Sequence, residues 1–515
     1  MKRIIGVLVG LLVVLTAPLR AAVSVNLTIQ EAIYSGGSTG VARTDEPVTV
    51  GIPLPDNAST GITGVSSLGL TGASVGQFRC LGVWPSGRCK WVLVDTLLGS
   101  LSAGASSTAV TLTNAGSGNF GGSDLATDNG STITVATGAA TFTIKKANFN
   151  GFDTVVVGST TVVTTGNAGG LVVTGPTAGN TSCGTCATVY SSINDADSTC
   201  SIEENGPVRV ALLCTGQHED GSDHIYMKYT ARLHFWKGKT AVKVVHSLRN
   251  AELGASNTFA SAYKEFEAYD WKLVPTLSGT TTYAFGRHTG ASPATCTGSL
   301  STTDDAYINV AQPEAFASGT AHLFPGDTED FPWYPHTAQT GYRCNVNGSD
   351  TQSGTVTQIS QSWGNIETSG GVGVLVGNYQ AAANYPKGVV FNDTGTDTRV
   401  GIWPASNDNE FWAPWPLYTT HTLFFVFHDA TLSSNENEFL KLQHPLIARA
   451  PLAHYNSAAV FDWPFLDAAS EDAWYTALDT GESPEYTGST CCLADLAKGD
   501  TTSPVVLYRW YGWNS

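Results

Sequence analysis

Two short stretches of this chain gather the residue types that recognise anions and move protons. In Tyr226–Phe235 (YMKYTARLHF), period-two alternation places Lys228, Thr230, Arg232 and His234 on one side of an extended strand. An arginine offers a planar fork of donors that matches a carboxylate, and an imidazole takes or returns a proton near neutral pH. The second stretch, DFPWYPHTAQTGYRC (Asp330–Cys344), carries Trp333, Tyr334, His336, Tyr342 and Arg343. It repeats the same functional groups and adds flat rings able to stack on a ligand. Each stretch has a plainer reading. The first is a solvated strand face, and the second is a loop packed beside Cys344. Separation in sequence does not prevent the two from meeting in the fold, and nothing in their spacing requires it.

Other clusters are less specific. His218-Glu219-Asp220 with Asp223 and His224 offers nitrogen and oxygen ligands to a metal, yet lacks the i,i+4 helical spacing of HExxH, and a solvated turn explains it as well. His246 shares a strand face with Val242, Val244 and Leu248 and reads as a structural histidine. Glu265/Glu267 and Asp304/Asp305 are carboxylate pairs, but a glycosidase needs two carboxylates held about 5–10 Å apart across a cleft, which sequence does not show. No GxSxG, Walker or GxGxxG segment stands out, so serine-hydrolase and nucleotide chemistry have no specific support. No cofactor is required, and a divalent metal such as calcium is admitted without being demanded.

The elements that must position these groups are sheets. Glycine at 55, methionine at 2 and abundant Thr, Ser and Val favour strands joined by many turns. Residues 23–104 form a block the size of one small barrel or sandwich, with strand patterns at Val23–Ile29 and Val48–Pro55 and a hairpin at Trp84-Pro85-Ser86-Gly87-Arg88. From 105 to 449, short strands recur at TAVTLT, STITVA, ATFTIKK, DTVVVG, LVVTG, Gly370–Tyr379, Asp397–Pro404 and His421–Ala430. Thr174–Ser201 reads as loop-rich, and Gly286–Gly348 as an irregular excursion. Helical character enters only at NENEFLKLQHPLIA, curtailed by Pro445, and at DWPFLDAASEDAWYTALD. A loop-rich tail occupies 450–515. Its aromatic end, VVLYRWYGWNS, suggests either a truncated chain with a further domain or a terminal strand closing a sheet.

Charge and cysteines narrow the setting. A net charge of -17 without a clustered Lys/Arg patch argues against nucleic acid as a partner. Lys2 and Arg3, the apolar run Ile4–Leu15 and the small residues Ala21 and Ala22 have the layout of a secretory signal peptide. That run is too short to cross about 30 Å of hydrocarbon, and no later stretch would span a membrane. Ten cysteines suit a secreted, periplasmic or cell-surface protein. The local pairings to test are Cys80–Cys89, Cys183–Cys186, Cys200–Cys214 and Cys296–Cys344, with Cys491-Cys492 a vicinal pair reaching separate partners or free. Open sheet edges also make self-assembly an expectation.

The segments Arg43–Pro55 (RTDEPVTVGIPLP), Gly76-Gln77 and Trp84–Trp91 (WPSGRCKW) resemble the N-terminal block of the exo-rhamnogalacturonan lyase and YetA-like family. The all-β region around Ala231–His246 is similar in organisation to that family's central sandwich. The resemblance implies a mainly β protein: a small N-terminal RIFT-type barrel, a large β-sandwich and few helices, with the family's α/α toroid missing except for an opening at Trp510–Trp513. It also implies a polysaccharide partner and β-elimination on a uronate. That reaction needs a cation or donor for the carboxylate, a base for the C5 proton and an acid for the departing oxygen. Arg232, His234, His336, Tyr342 and Arg343 are the candidates for those roles, and Trp333 and Tyr334 the candidates for stacking on sugar rings. The second reading is a non-catalytic carbohydrate-binding or extracellular structural protein.

Overall fold

The structure is a computed structural model that describes residues 23–31, 40–57, 61–181, 183, 186–250, 264–289, 292–300, 305–309, 342–346, 349–354, 361–378, 388–392, 398–403, 411–413 and 417–460. The expected leader at 1–22, Asp304, Trp333, Tyr334, His336, the second helical pattern, Cys491-Cys492 and the aromatic chain end lie outside them.

The first block holds β1 (Ser24–Gln30), β2 (Arg43–Pro53), β3 (Gly69–Thr71), β4 (Gly76–Val83), β5 (Cys89–Leu101) and β6 (Ser106–Thr113). They divide into a β3-β6-β1 sheet and a β2-β5-β4 sheet. Inward residues of both, including Leu27, Ile29, Val48, Ile52, Val92, Val94, Val110 and Leu112, form one core. Period-two alternation along β1 and β2 supplies those apolar faces. The β4–β5 hairpin turns at Trp84–Arg88, where Gly87 has φ +81° and its N–H donates to the Trp84 carbonyl (2.8 Å). β6 pairs with β1 and β3, across the 104/105 boundary expected from sequence.

A meander follows: β7 (Ala126–Asp128), β8 (Thr132–Ala136), β9 (Ala140–Lys145), β10 (Thr154–Val157) and β11 (Thr160–Val163). The rest of the chain to His428 forms β12 (Gly170–Gly175), β13 (Thr188–Ser191), β14 (Thr199–Glu204), β15 (Arg209–Glu219), β16 (Ile225–Trp236), β17 (Ala241–Asn250), β18 (Lys264–Phe266), β19 (Ala268–Leu273), β20 (Thr281–Thr289), β21 (Ser292–Leu300), β22 (Asp305–Asn309), β23 (Tyr342–Val346), β24 (Ser349–Gly354), β25 (Gln361–Thr368), β26 (Gly373–Asn378), β27 (Gly388–Asn392), β28 (Thr398–Trp403), β29 (Phe411–Ala413) and β30 (Leu417–His428).

Strand pairing resolves most of these into two antiparallel layers. One runs β14-β15-β16-β17-β30-β26-β25-β20-β21. The other runs β13-β12-β19-β28-β27-β22-β23-β24. Their facing sides, with the meander, bury a single apolar core. Aromatic rings interlock there: Phe142 lies 5.0 Å from Phe235, Phe152 5.3 Å from Phe425, and Trp271 5.5 Å from Phe425. The protein is therefore mainly β with a sandwich at its centre.

Two stretches read as irregular contain strands. β13 and the start of β14 fall within Thr174–Ser201, and β21, β22 and β23 within Gly286–Gly348. Thr, Ser and Gly weaken apolar alternation in β13 and β21, although β-branched threonine suits a pleated sheet, and β22 and β23 are five-residue strands too short to show a period.

All four local cysteine pairings are formed. Cys200 and Cys214 face one another across β14 and β15, and Cys296–Cys344 ties β21 in one layer to β23 in the other. These bonds are consistent with an extracellular protein. Among the described residues no helix is long and apolar enough to cross a membrane.

After β30 the chain forms α1 (Asn435–Gln443), β31 (Ile447–Arg449) and α2 (Leu452–Ala458). Ser434 caps α1 by accepting the Asn437 N–H, and α1 ends ahead of Pro445. β31 then pairs with β1. The buried Arg43 holds this return: its guanidinium pairs with Glu31 and Glu46 and donates to the Lys441 and His444 carbonyls.

Candidate functional site

The outward face of the β14–β30 layer carries the polar row anticipated in Tyr226–Phe235. Tyr229, Ala231, Leu233 and Phe235 point into the sandwich, whereas Lys228 and Arg232 are exposed and Thr230 and His234 half-buried. His246 also points inward and is fully buried, its ring 5.4 Å from Tyr269.

Arg232 is already engaged. Its Nε and Nη2 donate to the two carboxylate oxygens of Glu203 at 2.7 and 3.0 Å, a bidentate pairing across the sheet. That pairing is what holds the Glu203 carboxyl below its ordinary range. His234 stacks on Trp236 with ring centroids 6.3 Å apart. Burial, followed by the charges of Arg209 and Lys243, lowers its pKa to about 4, so it is neutral at pH 7.

Tyr342 and Arg343 occupy β23 in the opposite layer. β23 is fastened to β21, which lies six strand positions from β16 along the first layer, roughly 29 Å at about 4.8 Å per strand. The backbone therefore does not bring them to Arg232 and His234. Strand order sets that separation, and the Cys296–Cys344 disulfide holds β23 beside β21.

The structure instead assembles a different group on the same outward face. A shallow depression of about 300 Å³ is lined by Asp195, Asp197, Lys228, Thr230, Ser247, Arg249 and Tyr418, among others. Register explains the grouping: Lys228 lies opposite Arg249 across β16 and β17, and Arg249 opposite Tyr418 across β17 and β30. Direct cross-strand neighbours have Cβ atoms about 5 Å apart, so two cations sit side by side where like charges cost a few tenths to 1 kcal/mol. Among the described residues neither cation is in a salt bridge or hydrogen bond. Asp195 and Asp197 line the same depression without forming an ion pair with either cation, and the Asp195 carboxylate accepts the Asp197 and Gln217 backbone N–H groups.

Tyr418 is 62% exposed, and its hydroxyl reaches Ser247, which is only 3% exposed despite facing outward. Hydrogen bonding with Ser247 above all, and also with Thr230 and Thr420, together with the nearby Arg232 charge, holds its hydroxyl below the usual pKa. The sequence reading missed Arg249 and Tyr418. The signal for Tyr418 was local alternation, with Tyr418, Thr420 and Thr422 polar between inward His421, Leu423 and Phe425. The pairing of β30 with β17 was not readable.

The His218–His224 segment is not one ligand set. His218 is fully buried with Nδ1 at 3.0 Å from the Met227 carbonyl, whereas Asp220 accepts the Ser222 and His224 N–H groups in an exposed turn. No group of three or more His, Cys, Asp or Glu able to hold a metal ion occurs among the described residues.

Burial depresses the His218 pKa to about 4 from 6.5. The unfolded chain therefore binds the proton first, and stability present above pH 6.5 is lost as the pH falls towards 4, by roughly 3 kcal/mol from this residue. Urea unfolding at stepped pH is expected to show this loss, and His218→Gln to flatten it. An unchanged slope in the variant would assign the acid sensitivity elsewhere.

Residues 125–256 match the family described as PcRGLX-like protein central beta sandwich domain. The match includes Lys228, Arg232, His234 and Arg249. The N-terminal segments that carry the sequence resemblance lie outside it. No curated protein matches. Similar solved structures include an alpha-mannosidase from Enterococcus faecalis V583 (11% identity, 83% of this chain and 46% of that chain, TM-score 0.46). Another is a galactose mutarotase-like protein from Lactobacillus casei ATCC 334 (9% identity, 59% of this chain and 100% of that chain, TM-score 0.30). The chain thus spans less than half the length of the mannosidase, and neither likeness bears on activity.

Proposed function

We propose that this protein acts on uronate-containing polysaccharide outside the cytoplasm, by β-elimination at the depression on the sandwich's outward face. The observation that carries the reading is the Lys228–Arg249 pair beside the exposed ring of Tyr418. Two adjacent cations held in no salt bridge among the described residues offer donors to an anion, and the adjoining ring offers a face for a sugar. Neutralising a uronate carboxylate there acidifies its C5 proton. Tyr418, as the phenolate, takes that proton, the C5–H electrons form the C4–C5 double bond, the C4–O bond breaks, and the hydroxyl so formed returns the proton to the departing sugar oxygen. Arg232 supports the phenolate from beside it. The chemistry needs no metal. The family match agrees with a carbohydrate-directed sandwich.

The openness of the depression and the engagement of Arg232 by Glu203 favour a second reading, in which the same face binds acidic polysaccharide without cleaving it. Incubation with pectic polymers, monitored by the ultraviolet absorbance of unsaturated uronate, separates the two. The lyase reading expects that absorbance to rise, and to fall sharply in Tyr418→Phe. No rise with retained binding would establish the second reading, and no binding at all would remove both.

A further inference from the structure

Six residues along β16 from Lys228, a second outward pair sets a lysine beside a neutral imidazole able to donate a hydrogen bond: Lys243 on β17 lies opposite His234. Six residues of strand separate the two pairs by about 20 Å. Lys243 is half-buried and, among the described residues, has no salt bridge or hydrogen bond. Glu203, the carboxylate whose charge reaches His234, is committed to Arg232. Desolvation accordingly weakens the hold of Lys243 on its proton. Beside it, the half-buried Trp236 ring stacks with His234. Between the two pairs stand Thr230, the hydroxyl end of Tyr418 and Arg232, all on the same outward side.

We propose that this face binds an extended polyanionic sugar chain lying along β16, with one carboxylate on Lys228–Arg249 and another, several sugar units away, on His234–Lys243. The inference rests on the reading of Lys228–Arg249 as a uronate site and adds a second, separate anion subsite for the same chain. Two anion subsites about 20 Å apart cannot both be filled by a monosaccharide or a short oligomer. A ligand bridging them gains avidity from the second contact, which becomes intramolecular once the first has formed. The ordinary alternative is that the Lys243 stem lies on the sheet while its ammonium reaches water, with no ligand.

Titration calorimetry of the full chain with short and long oligogalacturonates tests this. The long oligomer is expected to bind wild-type protein at least about tenfold more tightly than the short one. Lys243→Gln is expected to abolish that gain while leaving the short oligomer's affinity unchanged, and Arg249→Gln to weaken both. Long and short oligomers bound equally, or full long-chain affinity in Lys243→Gln, would overturn the inference while leaving the uronate site intact. Failure of wild-type protein to bind any acidic oligomer would remove the preceding reading and this one together. Because Lys243 has no partner to lose, its replacement should fold normally, and an unchanged thermal midpoint confirms that any lost affinity is not lost structure.

Discussion

Arg209→Met is expected to destabilise the protein by about 3–5 kcal/mol, measured as the shift in denaturant midpoint at neutral pH. Arg209 sits where the first block meets the sandwich. Its Nε donates to Asp95 on β5 at 2.9 Å and its Nη2 to Glu204 on β14 at 2.6 Å. The carboxylate side chains are only 2% and 7% exposed. Gln77 on β4 completes the junction by accepting the Val208 and Arg209 N–H groups and donating to Glu204. Burial pushes the Asp95 carboxyl above its ordinary range, with the Arg209 charge pulling it down only in part.

Methionine keeps most of the arginine's length but removes the one guanidinium that pairs with both desolvated carboxylates, leaving Asp95 without its arginine and Glu204 with only the more exposed Arg79 at 3.5 Å. An exposed ion pair would be worth about 0–1 kcal/mol, so the size of the loss reports burial. The pH dependence gives a second check. Without Arg209 the Asp95 carboxyl, already raised by burial, loses the charge that pulls it down and rises further above its unfolded value, so the folded variant binds the extra proton. Its deficit should shrink as the pH falls below the carboxylate range and return as the pH rises. Adding Asp95→Asn and Glu204→Gln should recover much of the stability, because neutral partners carry less desolvation cost. A loss below about 1 kcal/mol in the single variant would show that the junction is solvated.

The second large effect concerns binding. Lys228→Ala with Arg249→Ala is expected to weaken acidic oligosaccharide binding by about a hundredfold or more, since each hydrogen bond from a charged group contributes about 1.5–3 kcal/mol. Stability should move the other way. The pair is a like-charge contact directly across two strands, so its removal relieves a repulsion of up to about 1 kcal/mol. The thermal midpoint is therefore expected to hold or rise slightly while affinity collapses. That opposition is the signature of residues retained for a ligand at some expense to the fold. Unaltered affinity in the double variant would end the assignment of this face as an anion site.

Much of the local structure follows from the chain alone. Alternation in Tyr226–Phe235 is a property of neighbouring residues, because successive side chains on a strand point to opposite faces, and it correctly separates Lys228 and Arg232 from Tyr229 and Leu233. The Trp84–Arg88 turn, the α1 helix ending before Pro445, and the disulfides between cysteines close in sequence are legible for the same reason. The inward placement of His246 follows from its apolar neighbours on the strand. Tertiary structure decided which faces share a surface. Tyr418 reaches Arg249 only because β30 pairs with β17, a register set by burial of Leu423, Phe425 and Phe427 in a core drawn from distant segments. The same packing gave Arg232 to Glu203 and placed β23 in the other layer. Strand periodicity is local, whereas strand partnership is chosen by the whole core at once, so the polar row was visible in the sequence and its neighbours were not.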